Sequence, residues 1–163
     1  MIGNDIVDLA LAKTESNWKR KGFLEKIFTE NERKIILSSK NQELMVWILW
    51  SCKEAAYKIY NRAAQFRGFI PLQLECELEY AENKISGKVR CFGNEYYTET
   101  DITSQFIYTV AATNKNKLQS IKEFDKDLKI IKNNGIPYLE SNKNPISITH
   151  HGKFDRRIFL EIN

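Results

Sequence analysis

The chain opens on MIGNDIVDL, in which apolar and polar positions alternate around β-branched residues. A period of two predicts a strand. On that strand Ile2, Asn4, Ile6 and Asp8 share one face, and Gly3, Asp5, Val7 and Leu9 share the other. Asp5 is therefore set among apolar neighbours. Residues 16–39 read as helical pieces. Thr29, followed three residues later by Glu32, is a capping-box signature, so a helix should start near Thr29. SSKNQ at 38–42 is a break. A long helix is then predicted from about residue 43 to about residue 64, and its first turns, LMVWILW, are apolar nearly all round, as a central helix requires.

Beyond residue 70 the period changes. Leu72, Leu74, Cys76 and Leu78 alternate after Pro71 and predict a strand. AENKISG reads as a turn, KVRCFGNEYYTETD as further strand, and SQFIYTVAATN as another strand. Residues 118–132 place Leu and Ile at helix-like spacing among charges, with a strand over DLKIIK as the alternative. NNGIPYL is a turn into an extended piece, and the chain closes on two β segments around His151 and Gly152. One long helix followed mostly by strands implies α+β: an antiparallel β-sheet packed against a long central helix. With 163 residues and no linker or repeat, a single domain spanning 1–163 is expected.

Composition narrows the classes. Residues are 42% hydrophobic and 28% charged, with few Gly and Pro, which argues against disorder and fibrous repeats. No run of 18 apolar residues suggests a membrane helix, and the N-terminus lacks the pattern of a signal peptide. Cys52, Cys76 and Cys91 are widely spaced and only two histidines are present, so free thiols in a reducing cytoplasm are expected rather than a zinc site. The net charge of +4 favours a polyanionic partner, yet the basic residues are dispersed, unlike a nucleic-acid stripe.

WSCKEAAYKI, at residues 50–59, holds three charges in an otherwise dry helix. At 100° per residue Trp47, Ser51, Glu54 and Lys58 form one stripe, with Lys53 about a third of a turn away from Glu54. Two readings stand. Glu54 and Lys58 form an i, i+4 ion pair on a half-exposed flank, or Asp5 and Glu54 converge with lysines into a Mg²⁺–phosphate site. In SITHHGKF, His150 and His151 face opposite sides of an extended strand, with Ser147, Thr149 and His151 on one face and Ile146, Ile148 and His150 on the other.

Three stretches together, GNDIVDL at 3–9, WSCKEAAYKI at 50–59 and PISITHHGKF at 145–154, resemble in order the signatures of the 4′-phosphopantetheinyl transferase superfamily, with the closer likeness to holo-acyl-carrier-protein synthase. GFLEKIFTENE at 22–32 and NNGIPYL at 133–139 are similar to two further family stretches. The resemblance implies Mg²⁺-dependent transfer of phosphopantetheine from coenzyme A to a serine of an apo acyl carrier protein, releasing 3′,5′-ADP. A relative that binds CoA or a carrier protein without transfer is the alternative. By position the resemblance makes Asp5 and Glu54 the metal ligands, and Glu54 also the base toward the serine. Lys58 would meet the diphosphate, while His150 and, more weakly matched, Lys40 would hold CoA phosphates. It further implies an acidic carrier protein as partner, a role such as fatty-acid synthesis, no nucleic acid or membrane, and a homo-oligomer whose number it leaves open, the short synthases being trimers. Residues 72–118 are expected to be a strand-rich insertion.

Overall fold

The computed structural model describes residues 1–81, 84–141 and 144–161. Strand β1 (Ile2–Asp8) runs straight into helix α1 (Leu9–Glu15), whose first turn Asp8 caps by accepting the N–H groups of Ala10 and Leu11. Helices α2 (Phe23–Ile27) and α3 (Glu30–Ser38) follow. The expected capping box is present: Glu32 N–H donates to Thr29 Oγ1 at 3.3 Å, and Thr29 N–H donates to Glu32 Oε2 at 2.8 Å. Helix α4 (Gln42–Ala64) is the long helix anticipated from the apolar run.

A 3-10 turn at Pro71–Gln73 leads into β2 (Glu75–Ala81), β3 (Lys84–Cys91), β4 (Asn94–Ile102) and β5 (Phe106–Ala112). With β1 these form one antiparallel sheet in the order β1-β5-β4-β3-β2. Helix α4 packs on it, so the fold is α+β with an antiparallel sheet against a long helix. Residues 72–118 supply four of that sheet's five strands, and β5 lies directly beside β1. The segment is strand-rich, as expected, and forms most of that sheet.

The remaining strands are β6 (Ile121–Glu123), β7 (Ile130–Asn133), β8 (Ile136–Leu139), β9 (Ile146–His151) and β10 (Phe154–Leu160). They make a β6-β10-β9 sheet and a β7-β8 hairpin. The helix-like spacing of residues 118–132 does not become an α-helix. A 3-10 turn at Lys115–Ser120 buries Leu118, Ile121 pairs with Leu160, and Ile130 pairs with Leu139. Pairing with distant strands overrides the local spacing here. The supposed turn over AENKISG is also shorter than read, since Lys84 to Gly87 already belong to β3 opposite β2; residues 82–83 of that stretch lie outside the described residues.

The two faces of β1 do different work. Its Gly3 face lies against α4 so closely that a Cβ there would overlap the carbonyl oxygen of Ala55. Its Ile2 and Ile6 face joins Tyr108, Leu118 and Ile158 in a second apolar cluster beneath β9 and β10. Strand β1 is thus sandwiched between the long helix and the small sheet, which leaves Asp5 half-buried. No helix among the described residues is long and apolar enough to cross a membrane. Cys52, Cys76 and Cys91 are buried free thiols.

Lys53 is fully buried, with its ammonium 2.7 Å from Glu32 Oε2. It also donates to the carbonyls of Pro71, at 2.8 Å, and Leu74. Glu32 Oε1 accepts the N–H of Cys76 at 2.8 Å. One charge of the dry helix is therefore structural: it ties α3 and α4 to the entry of β2.

Candidate active site

Asp5 comes from β1, Glu54 and Lys58 from α4, and His150 from β9. Asp5, Glu54 and His150 line one cleft of about 320 Å³, with Trp47, Trp50 and Phe23 among its apolar walls. Lys58 stands one helical turn beyond Glu54 and borders a second cleft of about 280 Å³. Arg62 and Arg67 share that second cleft with the Asn134–Gly135 turn and Pro137. Asn134 and Gly135 take φ of 50° and 78°, the left-handed pair that a two-residue hairpin turn demands.

Electrostatics separate this cluster from a surface ion pair. Among the described residues Lys58 makes no ion pair within 4.0 Å of Glu54. Its ammonium instead donates to the carbonyls of Asn4 at 2.6 Å and Ile148 at 3.2 Å, so the flank-pair reading does not hold. Burial lowers the Lys58 pKa, opposed by the charges of Asp5 and Glu54. Burial raises Glu54 above its ordinary range, with Lys58 pulling the other way. Burial also lifts Asp5 to about 7, against Lys58 and with the help of Glu54.

Asp5 is also incompletely hydrogen-bonded. Its Oδ1 accepts from the Thr149 hydroxyl at 3.4 Å, while its Oδ2 is buried with no partner. A buried carboxylate oxygen without a donor suits a cation. The described residues contain no group of three or more His, Cys, Asp and Glu arranged to hold a metal. Two carboxylates alone fit a hard divalent ion that keeps several waters and takes phosphate oxygens as its other ligands.

A sequence model of the 4′-phosphopantetheinyl transferase superfamily matches residues 1–110. The chain belongs to that superfamily. The matched stretch runs from β1 almost to the end of β5, so it contains Asp5, Glu54 and Lys58 but stops short of β9. Among solved structures, the crystal structure of Thermotoga maritima holo-[acyl-carrier-protein] synthase is similar in fold, with a TM-score of 0.51 and 15% identity. The alignment covers 99% of this chain and 83% of that one. Nothing among curated proteins matches this chain.

The residues singled out in the sequence are not all gathered together. Asp5, Glu54 and His150 meet at one cleft, which His151 also lines, and Lys58 lines the other. Lys40 does not join them. It is exposed in the turn before α4, and the residue count from Gln42 to Lys58 puts it about 24 Å away along the helix axis. His151 faces Asp8 and accepts its N–H on Nδ1 at 2.8 Å. Sequence reasoning passed over Arg62 and Arg67. Arg62 sits four residues after Lys58, so the spacing alone could have flagged it. Arg67 lies past the helix end, where only the folded β7–β8 turn brings it a partner surface.

Proposed function

We propose that this chain transfers the 4′-phosphopantetheine arm of coenzyme A to a serine of an apo carrier protein. The observation that carries the reading is Asp5 and Glu54 on one cleft, with Asp5 Oδ2 unpartnered, in a chain of the phosphopantetheinyl transferase superfamily. Asp5 and Glu54 would hold Mg²⁺, which when bound neutralises the CoA diphosphate and polarises the phosphorus under attack.

The chain's own groups divide the rest of the work. Glu54, lifted by burial, is suited to take the proton of the serine hydroxyl. The serine oxygen then bonds to the β-phosphorus while the phosphoanhydride bond to the 3′,5′-ADP portion breaks. Lys58, one helical turn from Glu54 and lining the second cleft, would meet charge that builds on the leaving phosphate. Arg62 and Arg67 in the second cleft would hold the remaining CoA phosphates, and His150 would contribute from the first. The mild positive charge of the chain favours an acidic carrier protein. The site draws on both ends of the chain, which supports a single domain over 1–163.

Incubation of apo acyl carrier proteins with this protein, CoA and Mg²⁺, followed by intact-mass spectrometry, tests the proposal. The expected result is a gain of one phosphopantetheine arm that disappears with EDTA, Asp5→Ala or Glu54→Ala. CoA binding with no mass gain on any of several carrier proteins would sink it in favour of a binding-only relative.

A further inference from the structure

We propose that the alternating polar side chains of β9 act as positioning residues for Asp5, with Thr149 at the centre and Ser147 and His151 on either side. The inference rests on the transferase reading above.

Strand β1 pairs with β5 along one edge only. Its other edge would leave the N–H groups of Asn4, Ile6 and Asp8 with no strand to receive them, which is costly for buried backbone. Strand β9 runs alongside, but its backbone pairs with β10. Side chains receive those groups instead. Asn4 N–H donates to Ser147 Oγ at 3.2 Å, Ile6 N–H to Thr149 Oγ1 at 3.3 Å, and Asp8 N–H to His151 Nδ1 at 2.8 Å. The match works because both strands repeat every second residue with the same rise. Lys58 joins the two strands from the helix side by donating to Asn4 and Ile148.

Thr149 has a further duty. A hydroxyl has one proton to give and lone pairs to receive. While Thr149 Oγ1 accepts the Ile6 N–H, its own proton goes to Asp5 Oδ1 at 3.4 Å. That bond occupies one carboxylate oxygen and leaves Oδ2 as the one without a partner. The same side chain thus fixes the strand and the rotation of the carboxyl group it carries. His151 must present an unprotonated Nδ1, so its proton lies on Nε2, which faces Glu15 at 3.5 Å. In the SITHH stretch both histidines border the cleft, while Ser147, Thr149 and the Nδ1 of His151 hold the strand that carries the acid.

A purely structural role would lower stability and leave the site's affinity alone, so the test separates the two. Thr149→Val keeps the shape and removes the hydroxyl; Thr149→Ser keeps the hydroxyl. Amide exchange at Ile6 and Val7 is measured by NMR, and Mn²⁺ affinity by EPR. For Thr149→Val, exchange at Ile6 should accelerate while Val7, which faces β5, holds. The Mn²⁺ Kd should rise about 10- to 100-fold, the range found when a group orienting a metal ligand is removed. In the transfer assay kcat should fall while KM for CoA holds, and Thr149→Ser should restore both affinity and kcat. If Thr149→Val does not fold, Ser147→Ala reads the same quantities at Asn4, with faster exchange and a raised Mn²⁺ Kd expected. An unchanged Mn²⁺ Kd or unchanged exchange in the variant overturns the inference and leaves the transferase reading intact. Wild-type protein that neither binds Mn²⁺ nor transfers overturns both.

Discussion

Replacing Lys53 with methionine removes the cation from a pair in which the lysine is 1% exposed and the glutamate 0%. The Glu32 carboxylate would then keep only the N–H groups of Thr29 and Cys76, and the carbonyls of Pro71 and Leu74 would lose the ammonium, Pro71 keeping the N–H of Leu74. An uncompensated buried charge of this kind costs about 3–5 kcal/mol. In a chain of this size each kcal/mol moves Tm by roughly 2–4 °C, so a fall of roughly 6–20 °C is expected. Urea unfolding followed by far-UV circular dichroism gives the free energy, and a thermal scan gives Tm. The double variant Glu32→Gln with Lys53→Met leaves no charge behind and should recover about half or more of the loss. Cation–π contact with the Phe28 ring, 5.6 Å from the ammonium, adds a smaller increment to the single-variant cost. If Lys53→Met costs less than about 1 kcal/mol, or Glu32→Gln brings no relief, the assignment of Lys53 as a structural anchor fails.

Further predictions concern the site itself. Asp5 titrates at about 7 when folded, against an ordinary 3.8, so ionising it opposes folding. The protein without bound cation should lose stability as pH rises from about 4 to about 7, by at most about 4 kcal/mol. Asp5→Asn should therefore raise Tm at pH 8 and change it little at pH 4; equal gains at both would contradict the burial argument. The same proton competes with a cation, so Mn²⁺ affinity should weaken as pH falls below about 7, and a pH-independent Kd between 6 and 8 would count against Asp5 as a ligand. Arg62→Ala should raise KM for CoA about 10- to 100-fold if a charge-assisted phosphate bond is lost, and an unchanged KM would remove the second cleft from the substrate path. Gly3→Ala should destabilise the fold by about 1–3 kcal/mol or more, because its methyl group overlaps the Ala55 carbonyl; unfolding by denaturant measures this directly.

Much of the site was legible because its signals are local. Period-two alternation fixed the two faces of β1, and the heading of each residue on α4 followed from 100° per residue. The capping box at Thr29 and Glu32 put the start of α3 near Thr29, which is its N-cap. The same local logic left residues 118–132 open between helix and strand, and long-range strand pairing decided the outcome. It put Lys58 on the Glu54 stripe and Lys53 off it, but did not show what Lys53 does. Only the fold shows that Lys53 is anchored on Glu32 and Lys58 on the Asn4 carbonyl.

The sequence by itself determined most of the elements, the class of fold, and the family resemblance carried by the three motif stretches, because these depend on periodicity and on residue types at short spacing. Only the tertiary structure decided which groups meet. Asp5 and Thr149 are 144 residues apart in the chain, and Lys58 and Ile148 are 90 apart. No local pattern encodes such distances. They follow from β1 being buried between α4 and β9, where its polar edge must find partners and the strand alternation of β9 happens to bring them.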